Sequence, residues 1–510
     1  MSPFSPLRLL PLAALALTGC NFGDQGALQA AWIGDPDSMF VDGIRLSPGA
    51  QHLRAATEWG LVALDAQGEA IPALAERWII TEDGMSFIFR LREQTWPDGT
   101  EIDSASVRRG LERAIAAVDG TSLGLDLAPV QDIRAMAGRV VEIRLSAPVP
   151  DLLHLLAQPE LALRSADGGT GPMLVERDGA LARLRLKPPL ERGLPDMVDW
   201  EADAREIDLT VAPGDEAIAL FDAGTVQLVL GGRLGQLPQV DTGPLSRGTV
   251  RIDPAIGLFG LQVRTGRGML ADPAVREALA MALDRPELLA RYNVGGWVPT
   301  TRVVAPGLPG DPGYITERWS GADLADLRRE AASRVRAWRA GNPGNPGNSG
   351  NSGNSGEGGG QGADGLPQLT LSLGDAPGDR WLLRDLAAQF ATIGIRLVRA
   401  EDADTADLVL VDQVARYADP RWFLNQFHCS LRRGLCDEDA DYLVELVQET
   451  PDSVERATLL AEAEAELLQA NIFIPIGAPL RWSLVRGSVT GFLPNAYAFH
   501  PLPPLAERTR

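Results

Sequence analysis

The sequence predicts an α/β protein with mixed sheets, and three observations carry that expectation. Short runs rich in β-formers alternate with amphipathic helical segments along the whole chain, the pattern of a layered α/β fold. With 510 residues the chain is too long for one small domain and points to two to four folding units. Its composition, 45% hydrophobic and 23% charged, is that of a globular protein. Beyond its first residues no apolar run reaches the roughly 20 residues needed to cross a bilayer, so the bulk of the chain is expected to be soluble.

The chain opens with Arg8 and a nearly unbroken apolar run over 9–17, too short to span a membrane. It fits the h-region of a secretory signal followed by a small-residue cleavage site. Leu17-Thr18-Gly19-Cys20 resembles the bacterial lipobox. That resemblance implies that 1–19 is removed as a signal peptide, that Cys20 is the site of lipid attachment, and that 20–26 tether a soluble domain to a membrane. The plainer alternative is an ordinary signal peptide with a chance cysteine. Asn21 leaves the choice between inner and outer membrane open.

A first strand is expected over 27–33, stopped by the turn-forming Gly34-Asp35-Pro36-Asp37. Short strands follow from Trp59, punctuated by Gln67-Gly68, Asp83-Gly84 and Pro97-Asp98-Gly99, with β-formers concentrated over 85–92. A helix capped by Asp103 or Ser104 aligns Val107, Leu111, Ala114, Ile115 and Val118 on one face. Alternation returns over 140–145, a short helix suits 151–157, and Gly169-Thr170-Gly171-Pro172 forms a rigid turn before a strand pair. That turn lacks the lysine of a phosphate-binding loop. A strand over 258–263 leads to a helix begun by Asp272-Pro273, with Ala274, Ala278, Leu279 and Leu283 as its apolar face. An Arg- and Ala-rich helix covers 324–340. The repeat over 341–365, GNPGNPGNSGNSGNSGEGGGQGADG, cannot bury an apolar core and is expected to be a flexible surface loop. Strands over 369–373, 395–398, 408–411, 472–476 and 482–485, with helices over 384–390 and 442–470, complete the pattern.

Lys and Arg number 47 against 68 Asp and Glu, a net charge of −21. Nucleic acid demands a basic face, so it is excluded as a partner, and so is electrostatic docking on anionic lipid. The acidic surface favours a monomer. Cys429 and Cys436 lie in an exported chain and are expected to form a disulfide. With His428 they supply three zinc ligands at most, where zinc takes four. The four histidines, His52, His154, His428 and His500, form no metal motif. No metal, no cofactor and no catalytic set is therefore expected. GxSxG, HExxH and a placed SxxK are all missing, and paired carboxylates carry no weight in so acidic a chain.

Several segments in order resemble the large peptide- and nickel-type solute-binding proteins (family 5) of bacterial ABC importers. They are Glu58-Trp59-Gly60-Leu61-Val62, the run from Ile71 to Trp78, Phe87-Ile88-Phe89-Arg90-Leu91-Arg92, and Trp96-Pro97-Asp98-Gly99-Thr100. Further on come Gly169-Thr170-Gly171-Pro172, Phe221-Asp222-Ala223-Gly224, Val275-Arg276-Glu277-Ala278-Leu279 and Asp419-Pro420-Arg421-Trp422-Phe423-Leu424. The resemblance implies a two-lobed, hinged-trap fold. The large lobe would comprise 27–255 plus 478–510, with an extra β-rich subdomain at about 45–160, and the second lobe 256–477. It also implies a peptide or other small polar solute as ligand, ABC permease subunits as partners, and a lipid-anchored place in the periplasm. The chemistry is binding and not bond breaking, so no enzyme is expected. The alternative is a surface lipoprotein that keeps the fold as a sensor or structural partner without transport.

The family's peptide binders hold the ligand ammonium with an Asp in a stretch shaped D-[YN]-x-x-P-x-x-F-L. Here Arg416 stands in the place of that Asp, four residues before Pro420, and Gln413 in the place of an aromatic residue that often precedes it. A guanidinium repels an ammonium but grips a carboxylate or phosphate at two points. Arg416 would then face an anionic ligand, or else be exposed or paired with Asp412 or Asp419. The resemblance also suggests Gly34, Asp35, Trp59, Tyr417, Asp419 and Trp422 as ligand-binding candidates.

Overall fold

The computed structural model describes residues 26–241, 248–342 and 365–508. The lipobox with Cys20, the signal region and nearly all of the Gly/Asn repeat lie outside the described residues. Two mixed sheets dominate. The first has seven strands in the spatial order Met173–Asp178, Leu181–Leu186, Ile207–Ala212, Leu28–Ile33, Leu228–Arg233, Arg481–Val485 and Val250–Ile252. Leu28–Ile33 runs parallel to both its neighbours, and the remaining pairs are antiparallel. The second has five strands, Arg396–Arg399, Gln368–Ser372, Leu408–Val414, Gly257–Val263 and Phe473–Gly477. Central strands of both sheets are nearly continuous apolar runs because helices cover both faces. Every residue of Gly257–Val263 and of Phe473–Gly477 is buried.

The chain passes from the first sheet to the second between Ile252 and Gly257 and returns between Gly477 and Arg481. The two crossings lie side by side, with Asp253 N donating to Arg481 O at 3.0 Å. Between Gly34 and Met173 the chain builds a four-stranded antiparallel sheet, in the order Ala75–Ile80, Ser86–Leu91, Val140–Leu145 and Val130–Met136. The helix Ser104–Ala117 packs on it, capped by Asp103 in a reciprocal box with Ser106. One apolar cluster joins this subdomain to the second sheet's side, running from Trp59, Phe87 and Phe89 to Tyr417, Phe423 and Phe473. A second cluster joins the two large sheets through Phe221 and Val229 on one side and Phe259 and Leu261 on the other.

Most elements lie where the sequence puts them, and the differences have local causes. The single helix expected over 442–470 is two helices, Glu438–Val447 and Ser453–Ala470, parted at Pro451, which has no N–H to continue the first. The helix expected from Arg384 already begins at Pro377, because Pro is well placed in a first turn. On Pro273–Ala282 the buried face includes Val275, while Ala274 in the first turn is exposed. A disulfide joins Cys429 and Cys436.

Candidate binding cleft

A cavity of about 850 Å³ lies between the two large sheets, lined from both sides. That is within the range of roughly 300–1,000 Å³ usual for small-molecule sites. The first sheet contributes Gly34, the start of the helix Pro48–Thr57, the Gly231-Gly232-Arg233 strand end, and Arg481 to Ser483. The second contributes Gln262, Arg264 and the whole of 409–416, with Trp422, Gln426 and Arg433 behind them.

Local sequence explains how these groups reach the cleft. The strand Leu228–Arg233 slips register against Arg481–Val485 between Val229 and Gly232. Gly231 sits there at φ 84°, a conformation glycine tolerates, and the bulge re-aims Arg233. The indole N–H of Trp482 donates to Arg233 O at 2.8 Å and fixes that backbone. Burial holds the Arg233 guanidinium below its ordinary value; Arg481 adds to the effect, and Asp412 and Asp379 oppose it. Arg481 reaches across the chain crossing to the second sheet, with Nη1 donating to Asp412 Oδ1 at 2.6 Å and Nη2 to Asp412 O at 3.0 Å. Arg264 follows directly on Gly257–Val263. Arg433 lies inside the disulfide-closed loop, whose Leu435 N–H donates to Val263 O at 2.9 Å. Burial lowers the Arg433 guanidinium as well.

The candidates named from sequence separate into three groups. Gly34, Trp422 and Arg416 line the cavity. Asp35 and Asp419 are helix caps, accepting from Asp37 N at 3.0 Å and from Arg421 N at 2.7 Å. Neither is among the lining residues. Trp59 and Tyr417 belong to the apolar core, and neither is among the lining residues. Arg416 pairs with neither Asp412 nor Asp419. Its fork lies on Glu160 of the subdomain, Nη1 to Oε2 at 2.8 Å and Nη2 to Oε1 at 2.9 Å, with Nη1 also reaching Gln158 Oε1 at 2.9 Å. A second polar seam joins the same two bodies: Asn425 Nδ2 donates to Asp126 Oδ1 at 2.7 Å and Arg421 Nη2 to Asp126 O at 3.1 Å.

Arg233, Arg264, Arg433 and Arg481 escaped the reading of the sequence, although a signal exists. LVLGGR and LFGLQVR each end an apolar strand on one arginine, where the strand end meets the cleft. Among the described residues no group of three or more His, Cys, Asp and Glu is placed to hold a metal ion, and no helix is long and apolar enough to cross a membrane.

The family model for bacterial extracellular solute-binding proteins, family 5 middle, matches residues 69–187 and 199–431. The glutathione-binding protein GsiB of Escherichia coli O1:K1 is 24% identical over 294 residues, covering 53% of this chain and 55% of its own length. The chain thus spans about half the length of the curated relatives it matches. Among solved structures, Haemophilus influenzae OppA in complex with RPPGFSPFR superposes with a TM-score of 0.77 at 15% identity, covering 95% of this chain and 99% of that one. AgaA of A. tumefaciens R10 in complex with agropinic acid gives 0.70 at 19% identity, covering 95% and 98%. These structural likenesses establish the two-lobed binding-protein fold.

Proposed function

The chain belongs to the bacterial extracellular solute-binding proteins of family 5, and from that membership we propose that it is the solute-capturing subunit of an ABC importer. The lobes, 27–255 with 478–510 and 256–477, close about the paired crossings on a small polar solute or short peptide. The closed form is what the permease subunits recognise. The observation that carries this reading is the cavity walled by both large sheets, with Arg416 and Glu160 clasped beside it. The polar groups lining it are suited to holding a solute, as in the family's substrate-binding transport proteins, and the solute is then taken up and released unchanged. The names of similar proteins range from glutathione binding to complexes with RPPGFSPFR and agropinic acid, which supports a peptide or other small polar solute as the class. A lipid on Cys20 holds the monomer at the periplasmic face of a membrane, with 20–26 as its tether.

Native mass spectrometry of freshly purified protein, followed by thermal-shift screening with short peptides and small anions, tests the capture step. A bound solute raises the melting temperature by linkage. Retention of no solute, no shift with any compound and no association with permease subunits would together defeat the proposal. Cys20→Ala is expected to move the protein from the membrane to the soluble fraction.

A further inference from the structure

The walls of the cleft reverse the charge of the molecule. The chain carries 68 acidic against 47 basic residues, yet the lining holds five arginines and two aspartates, with no lysine and no glutamate. Two of the five guanidiniums are already matched, Arg481 by Asp412 and Arg416 by Glu160. Both wall carboxylates are also engaged, since Asp253 accepts from Asn495 N at 3.1 Å and lies 3.3 Å from His500 Nε2. No lining carboxylate is therefore left to hold an ammonium group.

Three guanidiniums remain. Arg233 and Arg264 have no hydrogen bond or ion pair at contact distance to their side chains among the described residues, Arg233 being attracted by Asp412 and Asp379 only at longer range, and Arg433 has only the neutral Gln426 Oε1 at 3.2 Å. Cations held half-buried and unpaired around one cavity are unfavourable unless a counter-charge enters with the ligand. All three stand on fixed backbone: a strand bulge pinned by Trp482, a strand end whose Arg264 N–H donates to Asp407 O at 2.9 Å, and a disulfide-closed loop. Such support is what a preorganised site requires.

We propose that the cleft takes a solute bearing at least two oxyanion groups, one held by Arg233 of the first lobe and another by Arg264 and Arg433 of the second. This rests on the capture function proposed above and names its ligand class. Carboxylate and phosphate both match the guanidinium fork. A dianion bridging the lobes neutralises like charges on facing walls, so it favours closure where a neutral solute does not.

Thermal shift and calorimetry at constant ionic strength, with citrate, fructose 1,6-bisphosphate and trialanine as probes, decide the matter. At least one anion is expected to bind, with affinity falling steeply as salt rises. Citrate alone identifies carboxylates as the class, and the bisphosphate alone identifies phosphates. Arg233→Gln and Arg264→Gln should each weaken anion binding at least tenfold, Arg233→Lys should restore part of it, and the exposed Arg329→Gln should change nothing. Because the two key variants lie on different lobes, a folding failure in one leaves the other as the reading. Anion binding unchanged in both glutamine variants overturns the proposal. Trialanine binding without any anion response overturns the oxyanion class and leaves the capture function standing. Silence from all three probes overturns the oxyanion class; it overturns the capture function as well only if no solute is retained, no compound in the wider screen shifts the melting temperature and no permease subunit associates.

Discussion

Acidification from pH 7 to pH 5 should destabilise the first lobe through one residue, His52. Its ring is buried beside the cleft between Trp32 and Phe499, at centroid distances of 4.6 and 4.4 Å. Nδ1 lies 2.6 Å from Pro48 O and must carry the proton there, while Nε2 accepts from His500 N at 3.0 Å. Only the neutral ring satisfies both contacts, because a second proton would face an N–H. Burial, with a smaller push from His500 and against the Pro48 hydrogen bond, pulls the imidazole from 6.5 down to about 3. The folded pKa is lowered, so the unfolded chain takes up the proton first as pH falls. The stability is fully present above 6.5 and is lost from there down towards 3. The loss comes to about 2 kcal/mol by pH 5 and about 3 kcal/mol by pH 4. Asp126 works in the opposite sense. Burial raises its carboxyl to about 6, against 3.8 in the unfolded chain, so the folded state protonates first and gains about 1 kcal/mol over the same interval. The net wild-type loss should therefore shrink to about 1 kcal/mol, and His52→Gln exposes the full histidine contribution. Denaturant unfolding followed by tryptophan fluorescence should find the stability gap between wild type and variant narrowing by about 2 kcal/mol from pH 7 to pH 5. An equal gap at both pH values would refute the assignment of a buried neutral His52.

Glu160→Gln removes the charge under the Arg416 fork, a pair intermediate between exposed and fully buried. The expected loss of about 2 kcal/mol corresponds to a roughly thirtyfold smaller closed-to-open ratio, seen as a larger radius of gyration in small-angle scattering; an unchanged radius would mean that the pair is no clasp. Replacing both Cys429 and Cys436 by Ser releases a loop whose ends are seven positions apart and should lower stability by about 2 kcal/mol. The same drop should follow reduction of the wild type, and calorimetry with and without reductant checks it. Gly257 sits at φ 150° with the Gln413 carbonyl where a Cβ would project. Gly257→Ala should therefore cost about 1–3 kcal/mol, visible as a lower melting temperature.

Much of the fold could be read from patterns that depend only on neighbours in the chain. Asp103 before an apolar 3.6-residue period gives a capped helix, alternation over 140–145 gives a strand, and Asp272-Pro273 opens a helix with its cap in place. Where the reading failed, a single residue usually outweighed the period, as Pro451 did inside the long apolar pattern of 442–470. The site was less legible. The position of Arg416 in its stretch could be read, but its partner Glu160 lies 256 residues away, and no local rule names a partner at that separation. Tyr417 and Trp59 illustrate the same limit, since a large aromatic beside a cleft motif can turn towards solvent or into the core, and here both turn into the core.

The α/β class, most of the element order, the likeness to binding proteins of importers and the acidic character of the whole are all legible along the chain, because each depends on local spacing or on composition. Which charges meet is set by the folded chain. It took Arg416 out of the pool of free cations by closing it on Glu160, and it turned Arg233, Arg264 and Arg433, scattered over 201 positions of the sequence, towards one cavity. Electrostatics in a cleft depend on distance and burial, and folding sets both.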